Sequence, residues 1–280
     1  MDSLVIGGLS LPLTPLLVLS ALLMLAGLNW LRRPPIAGLT DALLNRLLLS
    51  LLGARLLFVF QQWPAYRSDW LSIIDIRDRG FDLYAFLLLL SILLMHYAWR
   101  VSAARQFLRW ALPLVFVSTG SLFLLYRQFY PPIQSQLWPE LTFQTLAAEP
   151  VRLQQLPHIE PEFTVVNLWA SWCPPCRAEM PMLIDMQRAY PQGRIVLLNQ
   201  GESAQQVSSF FRQEQLSADL IWLDPSGSMG RWVGQQALPL TLFFNRQGQL
   251  VDGHAGLLSR AMFEHKLKAL QPTQPLPTAP

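Results

Sequence analysis

The chain has 280 residues, of which 52% are hydrophobic and 14% are charged, and its mean hydropathy is +0.29. Soluble chains carry about 25% charged residues, so this composition excludes intrinsic disorder and makes membrane insertion the first hypothesis. Residues 1–138 hold 11 Arg against 6 acidic residues, whereas residues 139–280 hold 10 basic against 12 acidic residues. The basic excess lies in the apolar half, where it indicates membrane topology, and we expect no nucleic-acid partner.

Four apolar segments predict an α-helical membrane domain of four transmembrane helices over residues 1–130. The segments are residues 3–31, about 43–60, about 83–99 and about 110–126. The first is uncharged and long enough to cross a hydrocarbon core of about 30 Å, and Pro12 and Pro15 are expected to kink it near its outer end. A cleavable signal peptide is the competing interpretation, but Asp2 stands where a basic n-region is required and the apolar stretch is too long.

The arginines in the short loops predict the orientation of these helices, because cytoplasmic loops retain an excess of Lys and Arg. The first and third loops hold arginines without acids, namely Arg32, Arg33, Arg100, Arg105 and Arg109. The arginines of the second loop alternate with aspartates. Loops one and three are therefore expected in the cytoplasm. The N-terminus and everything after Tyr126 are expected outside, in the periplasm or its equivalent.

Two arginines lie inside the second segment, where a charge at mid-membrane costs at least about 2.5 kcal/mol. Arg46 lies near the predicted cytoplasmic end, and we expect its side chain to snorkel to the interface. Arg55 lies deeper. It is a candidate to bind a lipid headgroup or an acid on another helix, or to approach the outer interface.

Part of this half resembles the N-terminal region of prolipoprotein diacylglyceryl transferase. The resemblance rests on residues 51–56 (Leu-Leu-Gly-Ala-Arg-Leu), on three aromatic residues and on residues 79–82 (Arg-Gly-Phe-Asp); the aromatic residues are Trp63, Tyr66 and Trp70. The family has about seven spans, and a His-Gly-Gly element where this chain has Gly80 and Phe81. The resemblance implies a related scaffold, with lipid modification as an alternative function.

The second half predicts one α/β domain over residues 140–271, after a Pro-containing linker at 131–139 with Trp138 as an interfacial anchor. A Pro-rich tail at 272–280 is expected to be disordered. Strands are predicted at 163–169, 194–198, 220–223, 240–245 and 249–252. Helices are predicted at 174–190, broken at Pro181, at 204–215, capped by Ser203, and at 259–270. This alternation is typical of an α/β layout.

Cys173 and Cys176 are the two cysteines of the chain, directly after the first buried strand. At the start of a helix the dipole stabilises the thiolate of the first cysteine, which lowers its pKa and makes it the attacking group. Pro174 suits the first helical turn. A zinc site needs four ligands and the domain offers only scattered histidines besides this pair, so we expect no metal. An inert disulfide across so short a loop contributes little stability.

Several segments around this pair resemble the TlpA-type thioredoxin-fold disulfide reductases that are tethered in the periplasm. They are residues 166–181 (including Trp-Cys-Pro-Pro-Cys), 199–203 and 238–244, together with Gly248 and Gly256. The resemblance spans about residues 140–270 and implies a thiol:disulfide oxidoreductase without a cofactor beyond the redox-active disulfide. It implies that Cys173 attacks a substrate disulfide and that Cys176 resolves the mixed disulfide.

The same resemblance implies roles for residues around the cysteines. Pro239 is expected to be a cis-proline facing the cysteines, with the Leu238 backbone binding substrate. Trp172, Pro174 and Pro175 are expected to shape the substrate surface. Glu179 is either an acid that tunes the thiols or a solvated surface residue. Asn167 takes the place of a buried Asp of thioredoxin and cannot act as a base, so proton handling falls to Glu179 or water.

The cysteine pair alone does not fix the direction of electron flow, because proteins of this fold differ by about 150 mV. The resemblance favours reduction of a disulfide-containing periplasmic protein, such as an apocytochrome c or a metal-site assembly factor. The membrane half contains no cysteine, so a membrane electron donor of the DsbD type is expected to regenerate the dithiol. The alternatives are a lipid-modifying transferase with an accessory redox domain, and a thiol chaperone or metallochaperone.

Overall fold

The computed structural model describes residues 3–6, 9–67, 73–74, 80–129, 136–155 and 161–270. Its N-terminal half is a short strand pair followed by helices. The elements are β1 Ser3–Ile6, β2 Leu9–Pro12, α1 Leu13–Leu31, α2 Leu39–Gln61, α3 Trp63–Tyr66, α4 Leu83–Arg100 and α5 Ser102–Phe129. The predicted tail at 272–280, most of the second loop and residues 131–135 of the predicted linker lie outside the described residues.

The prediction of one kinked helix from residue 3 to residue 31 is wrong. Strands β1 and β2 pair as an antiparallel hairpin, and α1 begins at Leu13. Pro12 ends the second strand, since it has no N–H to donate. Pro15 lies in the first turn of the helix, where no hydrogen bond is lost. The apolar stretch of α1, Leu16–Leu31, is therefore short. Three other helices of the described residues are long and apolar enough to cross a membrane: Leu39–Gln61, Leu83–Arg100 and Ser102–Gln128.

The predicted third loop is almost absent, because Val101 alone separates α4 from α5. Arg105 and Arg109, predicted in that loop, lie within α5. Arg105 caps the end of α4 at this tight corner, since its Nε and Nη2 atoms donate to the carbonyl oxygens of Ala98 and Trp99, each at 2.9 Å. These carbonyls at the end of α4 have lost their helical partners.

In this half α2 packs most extensively against α4, and α1 packs against α5; α4 also contacts α5, and α1 contacts α2. Arg46 joins the first pair. Its guanidinium lies 4.0 Å from the centre of the Tyr97 ring, and its Nε donates to the carbonyl oxygen of Leu93. The arginine therefore lies between two helices, where a cation over an aromatic face is stabilised, and is not simply directed to the membrane interface as predicted.

The C-terminal half is a seven-stranded sheet with helices on both faces, counted over the described residues. Its elements are β3 Phe143–Thr145, β4 Pro150–Val151, β5 Phe163–Trp169, α6 Pro174–Ala189, β6 Arg194–Gln200, α7 Ala204–Gln213, β7 Ile221–Asp224, α8 Ser228–Trp232, β8 Leu240–Asn245, β9 Leu250–Ala255 and α9 Arg260–Leu270. The strand order is β4-β3-β7-β6-β5-β8-β9, with β5 parallel to β6 and antiparallel to β8. All seven residues of β5 are buried, because both faces of this central strand are covered.

Each predicted strand and helix of this half is present, with small shifts at the ends. Helix α6 continues through Pro181 and is not broken there, because a proline inside a helix removes a single backbone hydrogen bond and the buried face of α6 remains packed. The sequence did not predict the short elements β3, β4 and α8. Helix α7 begins as predicted, with Ser203 and Gln206 forming a reciprocal capping box.

Trp138 packs on the sheet and is not the interfacial anchor that was predicted. Its backbone N–H donates to the carbonyl of Gly248 at 2.8 Å, and its ring lies 6.2 Å from that of Phe244. A Cβ atom at Gly248 would lie 2.6 Å from the indole, so glycine is required for this contact. The α/β domain therefore includes residues from Gln136 onward, ahead of the predicted start at 140.

Candidate active site

The two cysteines form a disulfide at the point where β5 leads into α6. Cys173 is the N-cap residue of α6, and its Sγ accepts a hydrogen bond from the backbone N–H of Cys176 at 3.4 Å. Cys173 is 4% exposed and Cys176 is fully buried. A thiolate at position 173 would face the positive end of the helix, as predicted. An incoming sulfur can therefore reach Cys173 more readily than Cys176.

The peptide bond between Leu238 and Pro239 is cis, as the resemblance implied. It lies directly before β8, whose residue Leu240 pairs with Leu168 near the end of β5. Leu238 and Trp172, the residue before Cys173, line a groove of about 240 Å³, together with Gln200, Gly201 and Arg231 among others. The Trp172 side chain is 68% exposed. A large exposed aromatic residue next to a groove is well placed to bind an extended segment of another protein.

Glu179 is buried in α6, about one turn after Cys176, so of the two alternatives expected for it the solvated surface residue is wrong. Its carboxyl group is 2% exposed and accepts hydrogen bonds from Asn167 Nδ2 at 2.8 Å and from the backbone N–H of Leu258 at 2.7 Å. Burial raises the pKa of Glu179 from 4.5 to about 8, and the two hydrogen bonds oppose this rise. It lies three positions after Cys176 in the chain, which places both on one side of α6.

Asn167 joins this acid to the strand that follows the cis-proline. Its Nδ2 atom donates to Glu179 and also to Thr241 Oγ1 at 3.0 Å. Among the described residues no donor lies within hydrogen-bonding distance of its Oδ1 atom, although the side chain is fully buried. An amide cannot take up a proton at neutral pH, so Glu179 is the titratable group of this buried pair.

The sequence did not single out Glu202, which fixes the loop ahead of the cysteines. One of its carboxylate oxygens accepts from the backbone N–H of Ser171 at 2.7 Å and from Asn199 Nδ2 at 2.6 Å. The other oxygen accepts from the Ser171 hydroxyl. The available signal was its place in the segment 199–203, between the end of β6 and the cap of α7. Glu202 therefore acts as a positioning residue.

We expect Glu202→Gln to destabilise the oxidised protein by about 2 kcal/mol. The amide has one acceptor oxygen and would leave the Ser171 N–H or the Asn199 amide without its present partner. Thermal unfolding measures the change, and amide hydrogen exchange at Trp172 shows whether the loop has loosened. Glu214→Gln is the matched control, because its exposed pair with Arg177 contributes at most about 1 kcal/mol. Equal effects of the two substitutions would contradict the positioning role.

Arg55 lies in the last third of α2 and contacts the loop that follows α3. The side chain is 5% exposed, and its Nε and Nη1 atoms donate to the carbonyl oxygens of Ile73 at 3.1 Å and Gly80 at 2.8 Å. Its guanidinium also lies 5.6 Å from the centre of the Tyr66 ring. These contacts hold the described parts of the loop against α2. In the described part of the chain no three His, Cys, Asp or Glu residues gather as a metal site.

The C-terminal half is similar to known redox proteins. Residues 135–252 match the AhpC/TSA family. The thioredoxin-like protein YneN of Bacillus subtilis is 28% identical over 137 residues, which are 48% of this chain and 78% of that protein. The thiol-disulfide oxidoreductase ResA of Halalkalibacterium halodurans is 28% identical over 131 residues, covering 46% of this chain and 72% of that protein.

Among solved structures, a putative thiol:disulfide interchange protein DsbE from Chlorobium tepidum has a TM-score of 0.43 and 22% identity, and covers 49% of this chain and 96% of that one. The family match begins at residue 135, so it gives no support to the resemblance of residues 51–82 to prolipoprotein diacylglyceryl transferase, which stays a prediction. The matched range contains the cysteine pair and the cis-proline, and ResA is named for the reaction that such a pair performs. The C-terminal half of this chain is therefore a thiol-disulfide oxidoreductase domain with the thioredoxin fold.

Proposed function

We propose that the protein is a reductant of disulfides in exported proteins. It is anchored in the bacterial inner membrane, with its C-terminal domain in the periplasm. The observation that carries the proposal is the Cys173–Cys176 disulfide at the start of α6, with the buried acid Glu179 about one turn further along the same helix. Three helices of spanning length support the anchoring. They expose large apolar side chains suited to lipid, among them Leu52, Met95 and Phe116.

The reaction is two successive thiolate attacks. The Cys173 thiolate attacks one sulfur of the substrate disulfide, so that a mixed disulfide forms and one substrate thiolate leaves. Cys176 then loses its proton, and its thiolate attacks the Cys173 sulfur and releases the second substrate thiolate. The substrate gains two electrons, and the protein is left with the disulfide present in the structure. Reduction in this direction requires a potential nearer that of thioredoxin, about −270 mV, than that of DsbA, about −120 mV.

Glu179 is suited to take the proton of Cys176. With a pKa of about 8, its proton affinity is close to that of an ordinary thiol, about 8.5, so the transfer is nearly balanced in free energy. The groove formed by Leu238 and Trp172 would hold the substrate segment beside Cys173. Substrates that fit the proposal are apocytochrome c and proteins that assemble metal sites. A donor of the DsbD type would restore the dithiol, since residues 1–138 contain no cysteine.

Trapping in the cell tests the proposal. Cys176→Ala removes the resolving thiol, so mixed disulfides through Cys173 are expected to accumulate with periplasmic proteins. The adducts are isolated under denaturing, non-reducing conditions and identified by mass spectrometry. Cys173→Ala is the matched control and is expected to trap nothing. Identical results for the two variants would contradict the exchange mechanism, and adducts confined to cytoplasmic proteins would contradict the periplasmic location.

We expect Trp172→Ala to lower kcat/KM for a folded protein disulfide by about 10- to 30-fold, since an exposed aromatic residue at the centre of a contact contributes about 2 kcal/mol. Reduction of a small disulfide such as oxidised glutathione is expected to stay within about twofold, because its smaller surface uses less of the groove. Trp99→Ala is the control, since Trp99 lies exposed on α4. Equal losses with both substrates would show that Trp172 acts on the cysteines and not on docking.

A further inference from the structure

The last helix of the redox domain contacts the membrane half at the corner formed by the end of α2 and by α3, residues 58–66, which we call the α2–α3 corner. The ring of Phe58 meets that of His265 edge-on, with centroids 5.6 Å apart. Lys268 Nζ donates to Gln62 Oε1 at 2.8 Å, and Gln62 Nε2 lies 3.4 Å from His265 Nδ1. Both ends of the Gln62 amide therefore have partners on α9.

Burial at this corner indicates a packed contact. Gln62 is 5% exposed, and Phe58 and Tyr66 are 3% and 1% exposed. The apolar residues of the corner belong to the same hydrophobic cluster as Phe263, Leu267 and Leu270 of the redox domain. A polar amide buried with its partners in place, inside a shared apolar cluster, is the pattern of a specific interface. A domain that swung freely on a tether would leave these side chains in water.

The position of α9 decides where the disulfide points. Leu258, just before α9, donates to Glu179 near the start of α6, whereas Phe263 lies 6.1 Å from Tyr190 at the end of α6. Helix α9 therefore runs alongside α6 in the same direction. His265 and Lys268 lie beyond Phe263, so the α2–α3 corner meets the end of the domain opposite to the disulfide. Helix α6 has 16 residues, which correspond to about 24 Å.

We propose that the α2–α3 corner is a docking site for α9, and that this contact holds the disulfide on the far side of the domain, about 20 Å beyond the contact. The partner that fits this geometry is a folded domain in the aqueous phase. Its cysteines would lie about 20 Å beyond the α2–α3 corner, and not within lipid. The class of partner rests on the proposed membrane anchoring, whereas the docking of α9 on the α2–α3 corner does not.

The lysines of the chain allow a direct test, because Lys266 and Lys268 are the only two. Gln62→Glu places a carboxylate beside Lys268, and a water-soluble carbodiimide should join the two side chains in the full-length protein in lipid nanodiscs. Peptide mass spectrometry identifies the link. Lys266 lies 2.6 Å from Asp252, so a 252–266 link within the redox domain reports correct folding in the same sample. In Gln62→Glu with Lys268→Arg, the 62–268 link should disappear and the 252–266 link should remain.

The apolar part of the contact has its own variant. Adding Phe58→Ala to Gln62→Glu should lower the yield of the 62–268 link at least fivefold and leave the 252–266 link unchanged. A strong 252–266 link without a 62–268 link in Gln62→Glu would overturn the docking. A 62–268 yield that Phe58→Ala leaves unchanged would overturn it as well. Neither link depends on the cysteines, so these outcomes are separate from those of the trapping experiment.

The direction of the disulfide has an independent readout. Cys176→Ala leaves Cys173 as the single cysteine, and a fluorophore on it can transfer energy to acceptors on lipid headgroups. With docking intact we expect the label to lie about 20 Å or more from the bilayer surface, and Phe58→Ala should broaden the distances toward shorter values. A label held within about 10 Å of the headgroups would contradict the proposed orientation.

Discussion

Replacing Glu179 by glutamine is expected to slow resolution of the mixed disulfide by about 100-fold, the usual contribution of a positioned general base. Cys176 is fully buried and must lose its proton before it can attack. Glu179 is the buried titratable group on the same side of α6, and its pKa of about 8 suits it to accept a thiol proton. Glutamine keeps the shape and an acceptor for the Leu258 N–H but cannot take up the proton.

Rapid-quench experiments with a single turnover separate the two chemical steps. Formation of the mixed disulfide through Cys173 is expected to change little, while the mixed disulfide persists longer in Glu179→Gln. In the wild type, the resolution rate should rise with pH until about 8 and then level off, because Glu179 becomes ionised over that range. Glu214→Gln, an exposed acid near Arg177, is the control. A resolution rate within twofold of the wild type would show that water takes the proton.

The oxidised protein is expected to lose stability as the pH rises from about 5 to 8, and Glu179→Gln should remove most of this loss. The folded state raises the pKa of Glu179 from 4.5 to about 8, so between these values it binds a proton that the unfolded state has released. The free energy of unfolding therefore falls through this range and becomes constant above it. The shift corresponds to roughly 5 kcal/mol at most.

Hydrogen exchange of the β5 amides in the full chain, corrected for the intrinsic pH dependence of exchange, reports on the redox domain separately from the N-terminal half. We expect the opening free energy of these amides to fall between pH 5 and pH 8 in the wild type and to stay nearly level in Glu179→Gln. Glu264→Gln is the control, because this acid lies on α9 and is only partly buried. A slope that survives in Glu179→Gln would assign the pH dependence to other groups.

Local patterns predicted much of the redox domain. The buried strand before Cys173, the capping box at Ser203 and the order of strands and helices follow from residues close together in sequence. The cis bond at Pro239 was predicted through the resemblance and is confirmed. Short elements such as α8 have too few residues to show a period, and the sequence alone did not predict them.

Tertiary position decided what the sequence left open. Whether Glu179 is exposed or buried depends on a distant part of the chain. Its carboxylate accepts a hydrogen bond from the N–H of Leu258, 79 residues later. Glu202 acquires its role because Ser171 comes to it from another element. In the sequence alone, Trp138 at a Pro-rich boundary resembles a membrane anchor. In the structure it packs instead against the sheet edge beside Gly248. The first predicted span was too long because apolar strands and apolar helices have similar hydropathy.

The packing around Gly80 gives the N-terminal half a way to affect the redox domain. A Cβ atom at this position would lie 2.5 Å from Arg55 Nη1 and 2.5 Å from the Phe58 ring, so any side chain forces that ring to move. Phe58 touches His265 of α9 on its other side. A genetic screen for defective disulfide reduction should therefore recover substitutions of Gly80, about ninety residues before Cys173. Second-site changes on α9 that make room for the displaced ring are the expected suppressors.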